Sequence, residues 1–271
     1  MRASAGGDRP SAPTAGDMND SFTEKLGEIR REIDRIDEAM HLLLMERGAV
    51  IDRLVEVKRT SESGSAFRPQ READMMRRLA ARHHGRLPLA TAEHLWRTII
   101  ATFTHVQAPF AMHVEQGPDA LEMHDLARFH VGFDVPLTGH ATPGRVVAAV
   151  AGSTGDLGLV RINPEPVSAW WETLGGDGPQ IMARLPFVRA EGHPAPTPAL
   201  VIARPLGDAA ASDVTVWSVV DDGDAELPEG AETLLTVVRN GRRSRLVAAF
   251  GSEPPAQGAA RVGGYAAPAA I

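Results

Sequence analysis

The N-terminal part of the chain carries one long run of apolar residues at helical spacing. From Ser21 to about Thr60 there is no proline, and apolar positions recur every three or four residues. They are Leu26, Ile29, Ile33, Ile36, Met40, Leu43, Leu44, Val50, Ile51, Leu54 and Val57. The pattern predicts a single helix roughly 55–60 Å long. Because this is much longer than a small domain is wide, we expect a second chain to cover the apolar stripe.

Two shorter helical patterns follow, and the pattern then changes. The second helix is predicted from about Pro69 to His84 and the third from about Thr91 to Val106. Beyond Gln107, short β-like runs alternate with helical ones, which is typical of βαβ units. Strands are predicted at Phe110–Val114, Val135–His140, Leu157–Ile162, Ile181–Pro186, Leu200–Ala203 and Val214–Val219, and helices at Ala120–Phe129, Pro143–Ala151 and Val167–Leu174. The expected fold class is a helical domain followed by an α/β domain.

A hairpin and two low-complexity ends complete the predicted organisation. Leu234–Arg239 and Arg242–Phe250 flank Asn240-Gly241, a dipeptide favoured in type I′ turns. The two ends are rich in Ala, Gly and Pro, and the first lacks the apolar core of a signal peptide. We therefore expect a disordered leader at 1–20, a helical domain at 21–108, an α/β domain at 109–250 and a disordered tail at 251–271.

Composition and charge narrow the possible functions. The net charge of -7 disfavours nucleic acid and anionic membranes as partners, and no window approaches a membrane span. The chain has no cysteine, which excludes disulfides, zinc–thiolate sites, iron–sulfur clusters and thiol nucleophiles, and suits a reducing, cytoplasmic location. Neither an HExxH motif nor an EF-hand loop occurs, so no metal or cofactor is expected.

Three cations on the long helix, Arg30, Arg47 and Lys58, form the candidate site. Arg47 and Lys58 are eleven residues apart, about 16 Å and nearly whole turns, so they share a face. Arg30 and Arg47 are seventeen residues apart, about 25 Å, too far to bind one small anion together. If two such helices ran antiparallel, Arg30 of one chain would approach Arg47 of the other. The alternative is that all three are solvent-facing cations.

This spacing, followed by Arg71-Glu72 and Gln107, resembles the all-helical chorismate mutase family. The resemblance covers residues 22–108, including the segment 66–72 before the second helix. It implies three helices that form an intertwined homodimer. Such an enzyme rearranges chorismate to prephenate for phenylalanine and tyrosine synthesis, and the reaction needs only orientation and charge complementarity.

The resemblance also implies roles for five catalytic residues. Arg30 would reach across the dimer to a substrate carboxylate, and Arg47 would bind a carboxylate in its own chain's site. Lys58 and Gln107 would flank the ether oxygen of the bond that breaks. Glu72 would accept a hydrogen bond from the ring hydroxyl.

Three further residues are expected to bind substrate: Arg71, Arg68 and Phe103. Arg71 would form a wall of the site or an ion pair. Arg68 stands where family members commonly have an acid, so it would either strengthen anion binding or misplace the hydroxyl. Phe103 stands where they commonly have a small hydroxyl residue, so it would form an apolar wall or block part of the site.

The region after residue 108 resembles a reduced prephenate dehydratase domain, whose lobes are similar to periplasmic binding proteins. The likeness is strongest over 108–163 and near Thr197–Ile202. Thr197-Pro198-Ala199 lacks the arginine of that family's Thr-Arg-Phe motif, so a binding or packing role is preferred to dehydratase activity. Two alternatives to the mutase stay open: a non-catalytic sensor or scaffold that binds an aromatic-pathway metabolite, and an isochorismate pyruvate lyase. Docking of a downstream prephenate-using enzyme is left open.

Overall fold

Three helices open the structure, a computed structural model that describes residues 15–59, 66–117, 120–163, 166–205, 212–221 and 226–271. Helix α1 spans Ala15–Arg59, α2 spans Pro69–Arg82 and α3 spans Leu89–Gln107. The predicted leader falls mainly on residues 1–14, which lie outside the described residues, whereas 15–20 are helical. Among the described residues, no helix is both long and apolar enough to cross a membrane.

A mixed sheet with two short α-helices forms the rest of the chain. The helices are α4 (Ala120–Val131) and α5 (Pro143–Ala151), and one 3-10 turn lies at Trp170–Thr173. The strands are β1 (Met112–Glu115), β2 (Leu137–His140), β3 (Leu157–Arg161), β4 (Gln180–Leu185), β5 (Val188–Arg189), β6 (Ala199–Ala203), β7 (Val214–Asp221), β8 (Glu232–Arg239), β9 (Arg242–Phe250), β10 (Ala260–Tyr265) and β11 (Ala269–Ala270). The predicted class, helices followed by an α/β region, is confirmed.

Nine of the strands form one sheet in the order β2-β1-β3-β6-β4-β10-β7-β9-β8. Strand β1 runs parallel to both β2 and β3, with Met112 opposite Leu137 on one side and Leu157 on the other. Helices α4 and α5 connect these three strands, as expected for βαβ units. From β6 onward most pairs are antiparallel, and β5 and β11 form a separate parallel pair.

The expected disorder of residues 251–271 is wrong. Strand β10 is an interior strand that pairs with β4 on one side and β7 on the other. Gly263 allows the neighbouring strand β4 to approach closely, because a Cβ at this position would lie 2.1 Å from the backbone oxygen of Ile181. The hydrogen bonds between neighbouring strands use only backbone groups. A segment poor in large side chains is therefore ordered once it pairs with a strand on each side.

Helices α2 and α3 share a core with the sheet. Buried side chains of α2 and α3, such as Met76 and Ile100, belong to the same apolar cluster as Met112 of β1 and Leu126 of α4. The chain accordingly divides into two compact units, Met1–Glu56 and Val57–Ile271. This boundary differs from the expected one after residue 108, because the apolar faces of α2 and α3 pack against the α/β elements.

Helix α1 carries a row of exposed apolar side chains. The row consists of Ile29, Ile33, Ile36, Met40, Leu43, Val50 and Leu54, each at least 36% exposed. Steps of four and three residues alternate along it, which is the spacing of a coiled-coil interface. Arg47 occupies the one position of this repeat that is not apolar.

Candidate functional site

The cations of α1 are held on one unbroken helix. Arg30 is exposed, whereas Arg47 is half-buried and lies within the apolar row. Because the helix is continuous between them, the two side chains are attached about 25 Å apart along it. Lys58 lies in the last turn of α1, and its side chain is outside the described part of the chain.

Glu72 lies in the first turn of α2 and points into the protein interior. Pro69 begins the helix, a position that suits its fixed φ, and the Glu72 backbone N–H donates to the Arg68 carbonyl at 3.0 Å. The Glu72 Oε2 atom accepts a hydrogen bond from Arg97 Nη1 at 2.8 Å. Their side chains are only 7% and 4% exposed. The carboxylate is therefore held in one orientation by a buried cation from α3.

This buried ion pair borders a small cavity with about 20 Å³ of free space. Thr104 of α3 and His130 of α4 also line the cavity, together with apolar side chains of the sheet. Burial, followed by the positive charges of Arg97, His193 and His94, lowers the pKa of His130 well below its ordinary value. His130 is consequently neutral at physiological pH and adds no charge to the cavity.

The remaining predicted residues lie just before α2, on α2 or on α3. Arg71 is exposed, and Arg68 donates from Nη1 to the Phe67 carbonyl at 2.9 Å. Gln107 and Phe103 are half-buried, and Gln107 Nε2 donates to the Phe103 carbonyl at 3.0 Å. In the part of the chain that the structure describes, neither Phe103 nor Gln107 lines the cavity beside Glu72. The structure thus groups Phe103 with Gln107, and Glu72 with Arg97.

Arg97 is the residue near the site that sequence reasoning misses. The apolar spacing of the third helix emphasises Leu95 and Trp96, yet these are 46% and 36% exposed. The buried face instead includes Glu93, Arg97 and Thr104. Glu93 pairs with His193, whose Nε2 lies 3.2 Å from its Oε2. No local pattern reveals such pairs, because each partner comes from a distant part of the chain.

The described residues hold no cluster suited to a metal ion. No group of three or more His, Asp or Glu side chains is arranged to hold an ion there. The predicted catalytic residues supply guanidinium, ammonium, amide and carboxylate groups.

Comparison with known proteins identifies the class of the helical region. Residues 29–108 match the family described as chorismate mutase type II. This match confirms the resemblance predicted for residues 22–108. The chain is also similar to a bifunctional chorismate mutase/prephenate dehydratase of Aquifex aeolicus, with 29% identity over 143 residues.

That similarity covers 51% of this chain and only 39% of the relative, so the chain spans well under half of the bifunctional protein. The mixed-sheet region after the helices is consistent with a lobe like that of a prephenate dehydratase. No solved structure gives a significant match to the chain.

Proposed function

We propose that this chain is a chorismate mutase that rearranges chorismate to prephenate in phenylalanine and tyrosine synthesis. The observation that carries the proposal is the family match over residues 29–108, a segment that contains all five expected catalytic residues in order. The name of the Aquifex relative, which includes the same activity, supports it. The absence of cysteine and the net charge of -7 support a cytoplasmic enzyme without nucleic-acid or membrane partners.

The reaction is intramolecular: one carbon–oxygen bond of chorismate breaks while one carbon–carbon bond forms, and no proton, electron or group is exchanged with the protein. Catalysis then consists of orientation and charge stabilisation. Arg47 binds a substrate carboxylate, while Lys58 and Gln107 donate to the ether oxygen as it gains negative charge. Arg30 of a second chain binds the other carboxylate.

Glu72 completes the proposed site as the acceptor for the ring hydroxyl. Arg97 binds Oε2 of this carboxylate, which leaves Oε1 as the proposed acceptor. The ion pair with Arg97 also keeps the carboxylate from rotating. In this arrangement Arg97 is a positioning residue, because it acts on the substrate only through Glu72.

A homodimer is part of the proposal, and two exposed apolar surfaces support it. One is the row on α1, where Ile29 and Leu43 are 54% and 64% exposed. The other is on α3, where Leu95 and Trp96 are exposed. A second copy of the chain, packed antiparallel along α1, would cover apolar surface and bring its Arg30 toward Arg47.

The deciding experiment follows the disappearance of chorismate absorbance with the purified full chain. We expect turnover by the wild type and a loss in kcat of about 10²–10³ for Lys58→Ala, by analogy with removal of one oxyanion donor. Arg47→Ala should raise KM as well. Arg53→Ala removes an exposed cation from the same helix and serves as the matched control, with unchanged kinetics.

The two alternatives give different results in the same assay. A wild type without turnover that still binds chorismate would support a sensor, which the unusual Arg68 and Phe103 favour. Release of pyruvate from isochorismate would support the lyase. Arg68→Asp tests the role of Arg68 directly, because unchanged kinetics would show that position 68 faces away from the substrate.

A further inference from the structure

A second polar site lies in the sheet region, separate from the residues proposed to bind chorismate. It is a cleft with about 220 Å³ of free space, in which Arg184, Arg189, Glu232 and Tyr265 face a wall of small and apolar side chains. The wall includes Val214, Ala248, Phe250 and Pro268. The cleft therefore combines an apolar surface with a few convergent polar groups.

The guanidinium group of Arg184 is held in place by hydrogen bonds within this cleft. Its side chain is 8% exposed and binds Glu232 through two bonds, of 2.6 Å from Nη1 and 2.9 Å from Nη2. Nη1 also donates to the Tyr265 hydroxyl at 3.2 Å. The buried Nε atom has no hydrogen-bond partner in the described part of the chain. A buried N–H without a partner is costly, so a ligand that accepts from it would be stabilised.

Arg189 adds a second guanidinium to the same cleft. Its side chain forms no hydrogen bond or ion pair with any residue that the structure describes. Burial, followed by the charge of Arg184, lowers the pKa of Arg189, whereas the hydrogen bond from Arg184 lowers the pKa of Glu232. Two cations and one ionised carboxylate thus share the cleft, which leaves one positive charge uncompensated.

We propose that this cleft binds a small organic monocarboxylate with an apolar body. Its carboxylate accepts hydrogen bonds from Arg189 and from Nε of Arg184, which balances the charge of the cleft. Its apolar body packs against Phe250 and Pro268. A doubly charged inorganic anion fits less well, because Glu232 would repel the second charge and the apolar wall would stay uncovered.

The test uses 4-fluorophenylacetate as the probe and fluorine NMR of the full chain as the measurement. We expect saturable binding in the millimolar range or tighter. The neutral analogue 4-fluorophenylacetamide should bind at least about tenfold more weakly, since it lacks the charge that the arginines recognise. Inorganic phosphate should not displace the probe. Absence of saturation, equal binding of the amide, or displacement by phosphate would each overturn the proposal.

Variants then assign the binding to the cleft. Arg189→Gln should weaken binding about tenfold or more, and Phe250→Ala should weaken it as well, whereas Arg242→Gln removes an exposed cation outside the cleft and should have no effect. Arg189 and Phe250 are exposed, so neither change threatens folding. Arg47→Ala separates the cleft from the proposed chorismate site: loss of probe binding in that variant, with retention in Arg189→Gln, would refute the assignment.

Discussion

Arg97 of α3 and Glu72 of α2 form a buried ion pair, with 2.8 Å between Nη1 and Oε2. The guanidinium carbon of Arg97 also lies 4.9 Å from the centre of the Phe187 ring. The pair joins two helices beside the cavity that the sheet helps to line. It therefore fixes α2, which carries a proposed catalytic residue, to α3 within the unit Val57–Ile271.

The stability of this pair depends on both partners being present. Arg97→Met should lower the free energy of unfolding by about 3–5 kcal/mol, because Glu72 would remain charged and buried without a partner. The double variant Glu72→Leu/Arg97→Met should recover most of the loss. Arg82→Met, at an exposed site on α2, is the control and should change little. Urea unfolding measures all three, and a double variant no more stable than Arg97→Met would contradict the charge argument.

A second prediction concerns the interior strand near the C terminus. In Gly263→Ala the new Cβ would lie within 2.5 Å of backbone atoms of Ile181, and the φ of 148° disfavours any side chain. We expect a loss on the order of 3 kcal/mol or more. Gly144→Ala is the matched control: it lies in α5 with no atom within 4 Å and should gain about 0.5–1 kcal/mol. Equal thermal unfolding of the two variants would show that β10 does not need the glycine.

Local patterns predict most elements of this fold well. The strand predicted at Leu157–Ile162 is found at Leu157–Arg161, and the hairpin strand Arg242–Phe250 is found with the same bounds. Asn240 and Gly241 have φ values of 53° and 76°, as a type I′ turn requires. These features depend on the alternation of side chains and on turn residues. Both patterns lie within short stretches of consecutive residues.

Features that depend on distant pairing were missed. Strand β10 is ordered by β4 and β7, not by its own composition, so a rule based on composition predicted disorder. The predicted helix at Val167–Leu174 is only a 3-10 turn, in which Trp170 and Trp171 are buried. For the candidate site, the resemblance supplies Glu72 and Gln107, but their actual partners are visible only in three dimensions.

The buried histidine of α4 predicts a pH dependence of stability. His130 has a pKa well below that of the unfolded chain, chiefly because it is buried, and Arg97, His193 and His94 oppose its protonation. Below about pH 6.5 the unfolded state therefore binds more protons than the folded state, and stability falls as the pH falls. At pH 7.5 the effect is absent, since the residue is neutral in both states.

Removal of this histidine should reduce the loss of stability that occurs as the pH falls below about 6.5. Neither ring nitrogen has a hydrogen-bond partner among the described residues, so His130→Leu breaks no bond there. We expect urea midpoints of the variant to decline less between pH 7 and pH 5 than those of the wild type, by up to about tenfold in the unfolding constant per pH unit. His124→Leu, at an exposed position on the same helix, should leave the profile unchanged. Parallel profiles for His130→Leu and wild type would refute the assignment.

The apolar row on α1 predicts how assembly and activity are linked. Ile36 lies in the middle of the row, so Ile36→Asp places a charge where the second copy is proposed to pack. Met45 is also exposed on α1 but lies outside the alternating repeat, so Met45→Asp adds the same charge as a control. Sedimentation should give twice the chain mass of 28.9 kDa for the wild type and Met45→Asp, and the monomer mass for Ile36→Asp.

Chorismate turnover should be high in the dimeric forms and low in the monomeric variant. The Ile36→Asp monomer would lack Arg30 of the partner, so its kcat/KM should fall by about tenfold or more, the usual value of one charge-assisted hydrogen bond. Adding Arg30→Ala to Ile36→Asp should then cost little more, because the cross-chain contact is already lost. A wild-type monomer with full turnover, or an additive effect of the two changes, would mean that Arg30 acts within its own chain or not at all.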